Sequence, residues 1–313
     1  MACINNTQAT EFILEGISKN DDVQANFFVI ISFVYGTTLF GNSILILLTR
    51  IDHELATPMY FFLSNLSLLD ISFSTVTVPN MLINIYTSNK KISYIGCFTQ
   101  LYFFHFLGIT DCFLLVTMGL DRYVAICHPL RYSHIMNSSV CVRMVLGCWF
   151  SGVLFSCSHT FTTLSLSFCS SNIINHYFCD IPPLLQVSSS DTRKNVLEIF
   201  IFGGSIVGGC FLSILISYIF IISSILKIST AKGKSKAFST CASHLTVVCI
   251  FFGTILFMYL RPTSAYSLDN DKMISVFYNI ITPMLNPVIY SFRNKEVKRA
   301  LMRLVKNIVI RVR

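Results

Sequence analysis

Seven long apolar stretches dominate the pattern of this chain. Each lacks Asp, Glu, Lys and Arg, except that Asp70 interrupts the second stretch and Asp111 the third. The stretches are 23–49, 55–89, 92–120, 144–179, 199–226, 237–260 and 273–292. About 20 mostly apolar residues form a helix that crosses a bilayer, and backbone groups in lipid must bond within their own helix. The pattern therefore predicts an all-α membrane protein with a seven-transmembrane helix bundle.

A different pattern follows the last apolar stretch. Val297, Leu301, Leu304 and Ile308 recur at helical spacing, and Lys and Arg fill the other faces. This pattern is typical of a short amphipathic helix on a membrane surface, and a solvated tail is the alternative. The predicted regions are an N-terminal segment (1–26), a transmembrane domain (27–292), and the amphipathic helix with its tail (293–313).

Composition and charge support the membrane class and orient the chain. Only 12% of residues are charged and 53% are hydrophobic, against about 25% charged in a soluble domain. With the N-terminus outside, 16 of the 23 Lys and Arg face the cytosol. The positive-inside rule thus predicts an extracellular N-terminus and a cytoplasmic C-terminus in the plasma membrane. Because the net charge of +8 is split among short loops, it favours contact with membrane lipid over nucleic acid.

The first 26 residues carry acidic side chains and lack a basic start followed by an apolar run. No cleavable signal peptide is expected, so the first span should serve as its own insertion signal.

The most specific motif closes the third stretch, where residues 118–132 read MGLDRYVAICHPLRY. A charge pair at the end of an apolar span indicates a boundary between membrane and cytosol. The motif resembles the odorant-receptor branch of the rhodopsin-like G-protein-coupled receptors. The similarity continues at 58–70 (PMYFFLSNLSLLD), 236–245 (KAFSTCASHL) and 283–294 (PMLNPVIYSFRN). The chain departs from the family at 119–120, where Gly-Leu replaces the common Ala-Tyr, and at Phe252, where Tyr is usual.

The resemblance implies a set of residues that couple to a G protein. Arg122 would be held by Asp121 at rest and would turn toward Tyr218 on activation, while Asn286-Pro287 would kink the seventh span. The set is Asp121, Arg122, Tyr123, Tyr218, His244, Asn286, Pro287 and Tyr290. The alternatives are a topological anchor at 121–122, an incidental proline kink, and a packed core histidine at 244.

Cysteines and sequons complete the expected outer surface. The resemblance implies a disulfide between Cys97 and Cys179. Odorant receptors usually have a second loop pair, but the region expected to hold the partner of Cys169 reads QVSSS at 186–190. Cys169 is therefore expected to be free, or paired with Cys3. Of three N-x-S/T sequons, the topology leaves Asn5 for glycosylation.

Asp70 and Asp111 lie well inside the spans. An unpaired carboxylate there costs several kcal/mol, so each acid needs a cation, a hydrogen-bonding partner or a proton. Two carboxylates with Asn42 and Asn286 nearby suit a small hard cation, and the resemblance implies sodium at Asp70. The alternative is that one or both acids are protonated.

The resemblance also implies the face that lines a ligand cavity. No acid occupies the outer half of the third span, where amine receptors hold a cationic ligand. A small, mostly apolar odorant with at most one carbonyl, hydroxyl or ether oxygen is expected. The expected ligand-binding residues are Phe104, His105, Gly108, Ile109, Cys112, Phe202, Ile206, Phe252, Ile255, Tyr259 and Asn279. For each of them, plain helix packing is the alternative.

The resemblance thus implies an odorant receptor that activates a stimulatory olfactory-type heterotrimeric G protein and raises cyclic AMP. A channel or transporter would need a polar path through the spans, and a transporter often shows repeat halves that this sequence lacks. An intramembrane enzyme is disfavoured, since the sequence has no HExxH motif and no clustered His and Asp ligands. An odorant-type receptor that senses a metabolite outside the nose stays open.

Overall fold

The computed structural model describes residues 9–18, 20–87, 89–169, 171–259, 268–293 and 295–312. Seven helical spans pack side by side into one bundle. Spans one to four are α1 (Asp21–Ile51), α2 (Pro58–Thr87), α3 (Tyr94–Cys127) and α5 (Ser138–Leu164). Span five joins α7 (Arg193–Glu198) to α8 (Gly204–Leu226), span six is α9 (Ala231–Tyr259), and span seven joins α10 (Leu268–Val276) to α11 (Thr282–Arg293). The short helices α4 (Tyr132–Ile135) and α6 (Ile181–Val187) lie in loops, and α12 (Lys295–Val312) follows the bundle.

Local sequence sets the ends of several spans. The side chains of Asn20, Ser93 and Asn137 each accept a hydrogen bond from a first-turn backbone N–H of α1, α3 and α5. Such caps satisfy amide groups that lack a partner within the helix. Span three ends at Cys127, two residues before Pro129, which cannot continue the helical hydrogen bonds.

The outer surface of the bundle is apolar. Within the described ranges, six helices are long and apolar enough to cross a membrane, and the shorter apolar segment Cys241–Phe257 lies within α9. Phe33, Phe40 and Phe150 point outward with 73%, 71% and 69% of their surface exposed. Large exposed apolar areas are unfavourable in water but suit a lipid environment. The predicted all-α fold with seven spans is therefore confirmed.

Spans three and four approach each other closely along a stripe of small side chains. Cys148, Gly152 and Ser156 recur every four residues on α5 and are buried. The Ser156 hydroxyl donates a hydrogen bond to the Tyr102 carbonyl oxygen at 2.6 Å. A Cβ atom placed on Gly152 would lie 2.8 Å from the carbonyl oxygen of Phe106. Small residues allow such backbone contact between helices in lipid.

A small sheet covers one end of the bundle. Strand β1 (Glu11–Leu14) pairs antiparallel with β2 (Lys91–Ser93) and parallel with β3 (Ile173–Ile174). Beside the sheet, a disulfide joins Cys97 of α3 to Cys179 of the loop between spans four and five. We call this the disulfide end, and the opposite end, where α3 stops, the Arg122 end.

Two spans contain a widened turn of π-helix. In span five the turn covers Ile199–Gly203, and in span seven it covers Phe277–Ile281. A π turn inserts a residue and changes which side chains share a face before and after it. Both turns lie near the disulfide end, so they affect which residues meet inside the bundle there.

The C-terminal amphipathic helix forms as α12 and packs against the Arg122 end. Val297 and Ala300 are buried there, and Leu304 packs against the same cluster. Leu301, expected on the apolar face, is instead 38% exposed, because Ala300 takes the contact with the bundle. The side chain of Ile308 lies outside the described residues. The alternative of a solvated tail is therefore wrong for residues 295–306.

Ion pairs fasten α12 to the loop between spans one and two. The Arg303 guanidinium donates to Asp52 at 2.8 and 2.9 Å and lies 3.0 Å from Glu54. Burial tends to raise the pKa of Asp52, but hydrogen bonds from Arg303 and from the Glu54 backbone outweigh it and lower the pKa. The Tyr60 hydroxyl adds a hydrogen bond to Glu296 at 2.7 Å. These contacts fix the direction in which α12 leaves the bundle.

Candidate functional site

An apolar cavity, which we call the main cavity because most of the expected ligand-binding residues line it, lies between spans three, five, six and seven near the disulfide end. Its volume is about 110 Å³ and its walls are largely apolar. Helix α6 of the loop contributes Ile181, so the loop forms part of the cavity wall. The lining residues are Phe73, Phe104, His105, Gly108, Ile109, Cys112, His159, Ile181, Ile199, Phe200, Gly203, Gly204, Ile206, Val207, Phe251, Ile255, Leu256 and Tyr278.

Most of the expected ligand-binding residues meet at this cavity. Those on its lining are Phe104, His105, Gly108, Ile109, Cys112, Ile206 and Ile255. The face expected on span three is thus one continuous wall. Whether these residues bind a ligand stays a prediction.

Three expected residues lie elsewhere, and the π turns account for two of them. Phe202 lies within the π turn of span five and points outward with 48% of its surface exposed. Asn279 lies within the π turn of span seven, where its amide bonds to Thr77 at 3.0 Å and to Tyr177 at 3.4 Å. Phe252 is fully buried against Phe211, and its neighbour Phe251 lines the cavity instead.

The side chain of Tyr259, the last expected residue, lies outside the described residues.

Sequence reasoning missed the contribution of span four. His159 of α5 lines the cavity, and its ring centroid is 6.0 Å from that of His105. A histidine in the middle of the uncharged stretch 144–179 was the available signal. The adjacent pair Gly203-Gly204 could likewise have indicated an irregular turn in span five.

The disulfide holds the loop between spans four and five against the bundle. The backbone N–H of Cys179 donates to the Gln100 side chain at 2.9 Å, and Gln100 in turn donates to the Val76 carbonyl at 2.9 Å. His176 of this loop is buried near Ser275 of span seven. Burial and the charge of Lys272 lower the pKa of His176 to about 3, so the ring is neutral at pH 7. The predicted bridge between Cys97 and Cys179 is confirmed.

The expectation that Cys169 is free is wrong, because Cys169 is disulfide-bonded. The alternative partner considered from the sequence, Cys3, lies outside the described residues. The expected glycosylation site, Asn5, also lies outside them.

The two buried acids meet at a second, smaller cavity. Asp70 and Asp111 both line it, and its volume is about 10 Å³, on the order of one water-sized sphere. The Asn286 amide donates to both Asp70 oxygens at 2.9 and 3.0 Å. Oδ1 of Asp111 is buried and has no hydrogen-bond partner among the described residues.

The two carboxylates on this cavity are ligands of the kind that a small hard cation prefers. Asp70 and Asp111 would supply the carboxylate oxygens. The amide oxygens of Asn42 and Asn286 have no hydrogen-bond partner among the described residues, but neither residue lines this cavity. No group of three His, Cys, Asp or Glu side chains in the described ranges could hold a metal ion. The donor set therefore suits a weakly held hard cation and not a transition metal.

At the Arg122 end, hydrogen bonds tie spans three, five and six together. The Tyr218 hydroxyl lies 2.9 Å from His244 Nδ1, and the two rings are stacked. His244 Nε2 lies 3.1 Å from the Leu115 carbonyl oxygen. Since a carbonyl oxygen can only accept, Nε2 carries the proton and Nδ1 accepts from Tyr218. His244 is therefore a packed, bonded core residue that also bridges three spans.

No direct ion pair or hydrogen bond joins Asp121 to Arg122 in the described part of the chain. Asp121 instead accepts a hydrogen bond from the Tyr132 hydroxyl at 2.7 Å. Arg122 donates to the sulfur of Met59 on span two. Tyr123 points away from both and lies 3.3 Å from His128. The loop after span three thus holds the acid, while span two holds the arginine.

Span seven adds two further expected residues near the core. Pro287 lies close to Gly41 of span one, where a Cβ atom would approach the proline ring to 3.1 Å. Tyr290 is buried, and its hydroxyl has no hydrogen-bond partner within the described ranges. An unpaired buried hydroxyl costs about 1–3 kcal/mol, so Tyr290 would gain from an arrangement that offers it a partner.

Comparisons with known proteins agree with this architecture. A family model described as olfactory receptor matches residues 31–307. Olfactory receptor 5AP2 of Mus musculus is 51% identical over 98% of this chain and 96% of its own length. Olfactory receptor-like protein COR4 of Gallus gallus is 50% identical over 97% of this chain and 98% of its own length. The crystal structure of squid rhodopsin matches with a TM-score of 0.64 at 20% identity, covering 93% of this chain and 87% of that one.

The likeness to rhodopsin concerns the fold alone, and it agrees with the bundle of seven helices. The sequence matches extend over nearly the whole chain and include all the spans. This chain therefore belongs to the olfactory receptor family, as a multi-pass membrane receptor and not an enzyme.

Proposed function

We propose that the chain binds a small, mostly apolar odorant in the main cavity and activates a stimulatory olfactory-type G protein, which raises cyclic AMP. The observation that carries the proposal is the cavity itself. Apolar side chains from several spans surround it, and a loop pinned by a disulfide closes one side. Ligand sites in proteins are concave and mostly apolar with a few polar groups, as here.

The proposed orientation puts the disulfide end outside the cell and the Arg122 end in the cytosol. Support comes from the Lys and Arg residues, 16 of 23 of which then face the cytosol. A disulfide is also expected on the oxidising side of a plasma membrane. In this orientation the odorant reaches the cavity from outside, and α12 lies at the inner leaflet, where its basic side chains can contact anionic lipid.

Coupling would depend on the contacts at the Arg122 end. In this arrangement the Tyr218–His244–Leu115 bonds hold spans five and six against span three. An odorant can shift the equilibrium toward an open form only if it binds that form more tightly. Opening would break these bonds and free Arg122 from Met59, and Tyr290 could then find a partner.

The sodium site is part of the same proposal. A cation at Asp70 and Asp111 would stabilise the arrangement in which Asn286 bonds Asp70, and would therefore favour the resting state. The alternative, a proton on one of the acids, would satisfy Asp111 without any cation.

A cyclic AMP assay tests the proposed coupling. Cells that express the chain should respond to some members of a panel of neutral volatile compounds, and Arg122→Ala should abolish the response at equal surface expression. Arg143→Ala is the matched control, because Arg143 is exposed and, among the described residues, its side chain bonds the Ser139 carbonyl of its own helix. A response of Arg122→Ala equal to that of the parent would refute the coupling.

Two alternatives make different predictions in related assays. A channel would conduct ions through purified protein in vesicles without any G protein. A receptor for a metabolite outside the nose would keep the cyclic AMP response, but its transcript would be abundant in other tissues.

A further inference from the structure

One wall of the main cavity carries two imidazole rings backed by two carboxylates. His105 and His159 line the cavity. Behind them, Asp180 Oδ1 lies 3.6 Å from His105 Nε2, and Glu198 Oε1 lies 3.7 Å from His159 Nδ1. All four side chains are largely buried, with 2% to 13% of their surface exposed. In such a place, the direction in which each polar hydrogen points decides which ligand fits.

The hydrogen-bond partner of His105 fixes the position of its proton. Its Nδ1 lies 2.9 Å from the carbonyl oxygen of Leu101. A carbonyl oxygen can only accept, so Nδ1 carries a hydrogen. In the neutral ring, Nε2 is then an acceptor. A second proton on Nε2 would face the Asp180 carboxylate, so in neither state does the ring offer the cavity a free donor.

The acid behind His159 has a similar effect. His159 Nδ1 is buried without a hydrogen-bond partner among the described residues, and the nearest acid oxygen belongs to Glu198. Glu198 is held there by a hydrogen bond from Ser158 at 2.9 Å. At His105 the 2.9 Å bond to the Leu101 carbonyl outweighs the 3.6 Å approach of Nε2 to Asp180. At His159 no such hydrogen bond competes among the described residues, so the N–H is drawn to the Glu198 carboxylate. The electrostatically favoured tautomer therefore leaves Nε2 as the acceptor that His159 presents to the cavity.

We infer that this wall accepts hydrogen bonds and does not donate them, so that it selects odorants with a neutral hydroxyl group, alcohols or phenols, over ethers, ketones and carboxylic acids. The inference rests on the proposed function and names its ligand class. An ether or ketone brings only acceptors and would leave the imidazole nitrogens unpaired, which is costly in a buried site. A carboxylate anion would in addition meet the negative charge of Asp180 and Glu198.

Other polar groups of the lining do not change this assignment. Among the lining residues these are Cys112 and Tyr278. Tyr278 lies on span seven and also borders the small cavity beside Asp111. Cys112 lies seven residues along α3 from His105, about 10 Å at 1.5 Å per residue. A protonated amine would need a carboxylate on the cavity surface, and neither Asp180 nor Glu198 is part of the lining.

Matched compounds test the inference by direct binding. We would measure thermal stabilisation of the purified full-length receptor by aliphatic alcohols, their methyl ethers, the corresponding ketones and the corresponding acids, over the same chain lengths. Alcohols should bind roughly three- to tenfold more tightly than ethers or ketones, the usual effect of one hydrogen bond. His105→Phe and His159→Phe keep a ring but remove the acceptors, and each should reduce that preference.

His134→Phe, at an exposed histidine in the loop after span three, is the control and should leave the preference intact. Ethers or ketones that bind as tightly as alcohols would overturn the inference, as would a preference that survives both histidine variants. Stabilisation by none of the alcohols would also overturn it. The proposed function has a separate readout: selective binding of alcohols without a cyclic AMP response would refute the coupling and leave the ligand class intact.

Discussion

Gly152 offers a quantitative test of how spans three and four hold the cavity wall. A Cβ atom on Gly152 would lie 2.8 Å from the Phe106 carbonyl oxygen and 3.1 Å from its ring, and it would also strike the Thr110 hydroxyl. Thr110 cannot turn away freely, because its hydroxyl bonds the same carbonyl at 2.7 Å. Gly152→Ala must therefore push the backbones of α3 and α5 apart.

The size of the effect follows from two opposing terms. Replacing glycine with alanine inside a helix stabilises it by about 0.8–1.0 kcal/mol. Overpacking a filled core costs about 1–3 kcal/mol. Gly147→Ala on the same helix gains the helix propensity without the packing cost, because nothing lies within 4 Å of its added Cβ atom. The difference between the two variants should then equal the packing cost of about 1–3 kcal/mol, since both gain the same helix propensity.

Thermal unfolding of the purified receptor and the fraction that reaches the cell surface would measure the difference. Gly147→Ala should match or exceed the parent in both, and Gly152→Ala should fall clearly below Gly147→Ala. Adding Thr110→Ala to Gly152→Ala should recover only part of the loss, because the Phe106 carbonyl still blocks the new methyl group. If Gly152→Ala is as stable as Gly147→Ala, spans three and four do not touch as described.

The spans could be predicted from the sequence because a helix that crosses lipid can carry few charged residues. An unpaired charge in hydrocarbon is costly, so gaps between charged residues mark the spans almost directly. The disulfide between Cys97 and Cys179 was predicted from the family resemblance, and the structure contains it. The spans depend on one strong energetic effect, the cost of charge in hydrocarbon. The disulfide was predictable because long motifs identify the family.

The inner face of the cavity was harder to predict, since it depends on helical register. The family resemblance implied that Phe202 and Asn279 face the ligand, which holds only if spans five and seven keep a regular helical register. The π turns at Ile199–Gly203 and Phe277–Ile281 change that register, so that Gly203 and Tyr278 line the cavity instead. No simple count of apolar residues detects an inserted turn.

Partners that come from distant segments were also missed. Asp121 bonds Tyr132, eleven residues away along the chain, and the neighbouring arginine was the obvious candidate. The sequence shows that a buried acid needs a hydrogen-bonding partner. The path of the loop after span three, which the sequence does not show, brings Tyr132 to Asp121. The same holds for Cys169, whose local sequence offers no cysteine nearby, and which is nevertheless disulfide-bonded.

Three further substitutions test the small cavity, the main cavity and α12. Replacing sodium with a bulky organic cation should raise basal cyclic AMP in the parent receptor but not in Asp70→Asn. If basal cyclic AMP in the parent does not depend on sodium, the alternative that Asp70 or Asp111 is protonated is supported instead. Gly108→Leu should abolish most odorant responses, because the added side chain takes up much of a cavity of about 110 Å³. The control Gly253→Leu lies on an open face of α9 and should leave the responses unchanged at equal surface expression. Arg303→Ala should loosen α12, since it removes the ion pairs to Asp52 and Glu54, while Arg299→Ala, which breaks no ion pair within the described chain, should not. Hydrogen exchange of the α12 amides measures this directly: faster exchange in Arg303→Ala alone is expected, and equal exchange in both variants would mean that the packing of Val297 and Ala300, and not the charges, holds the helix.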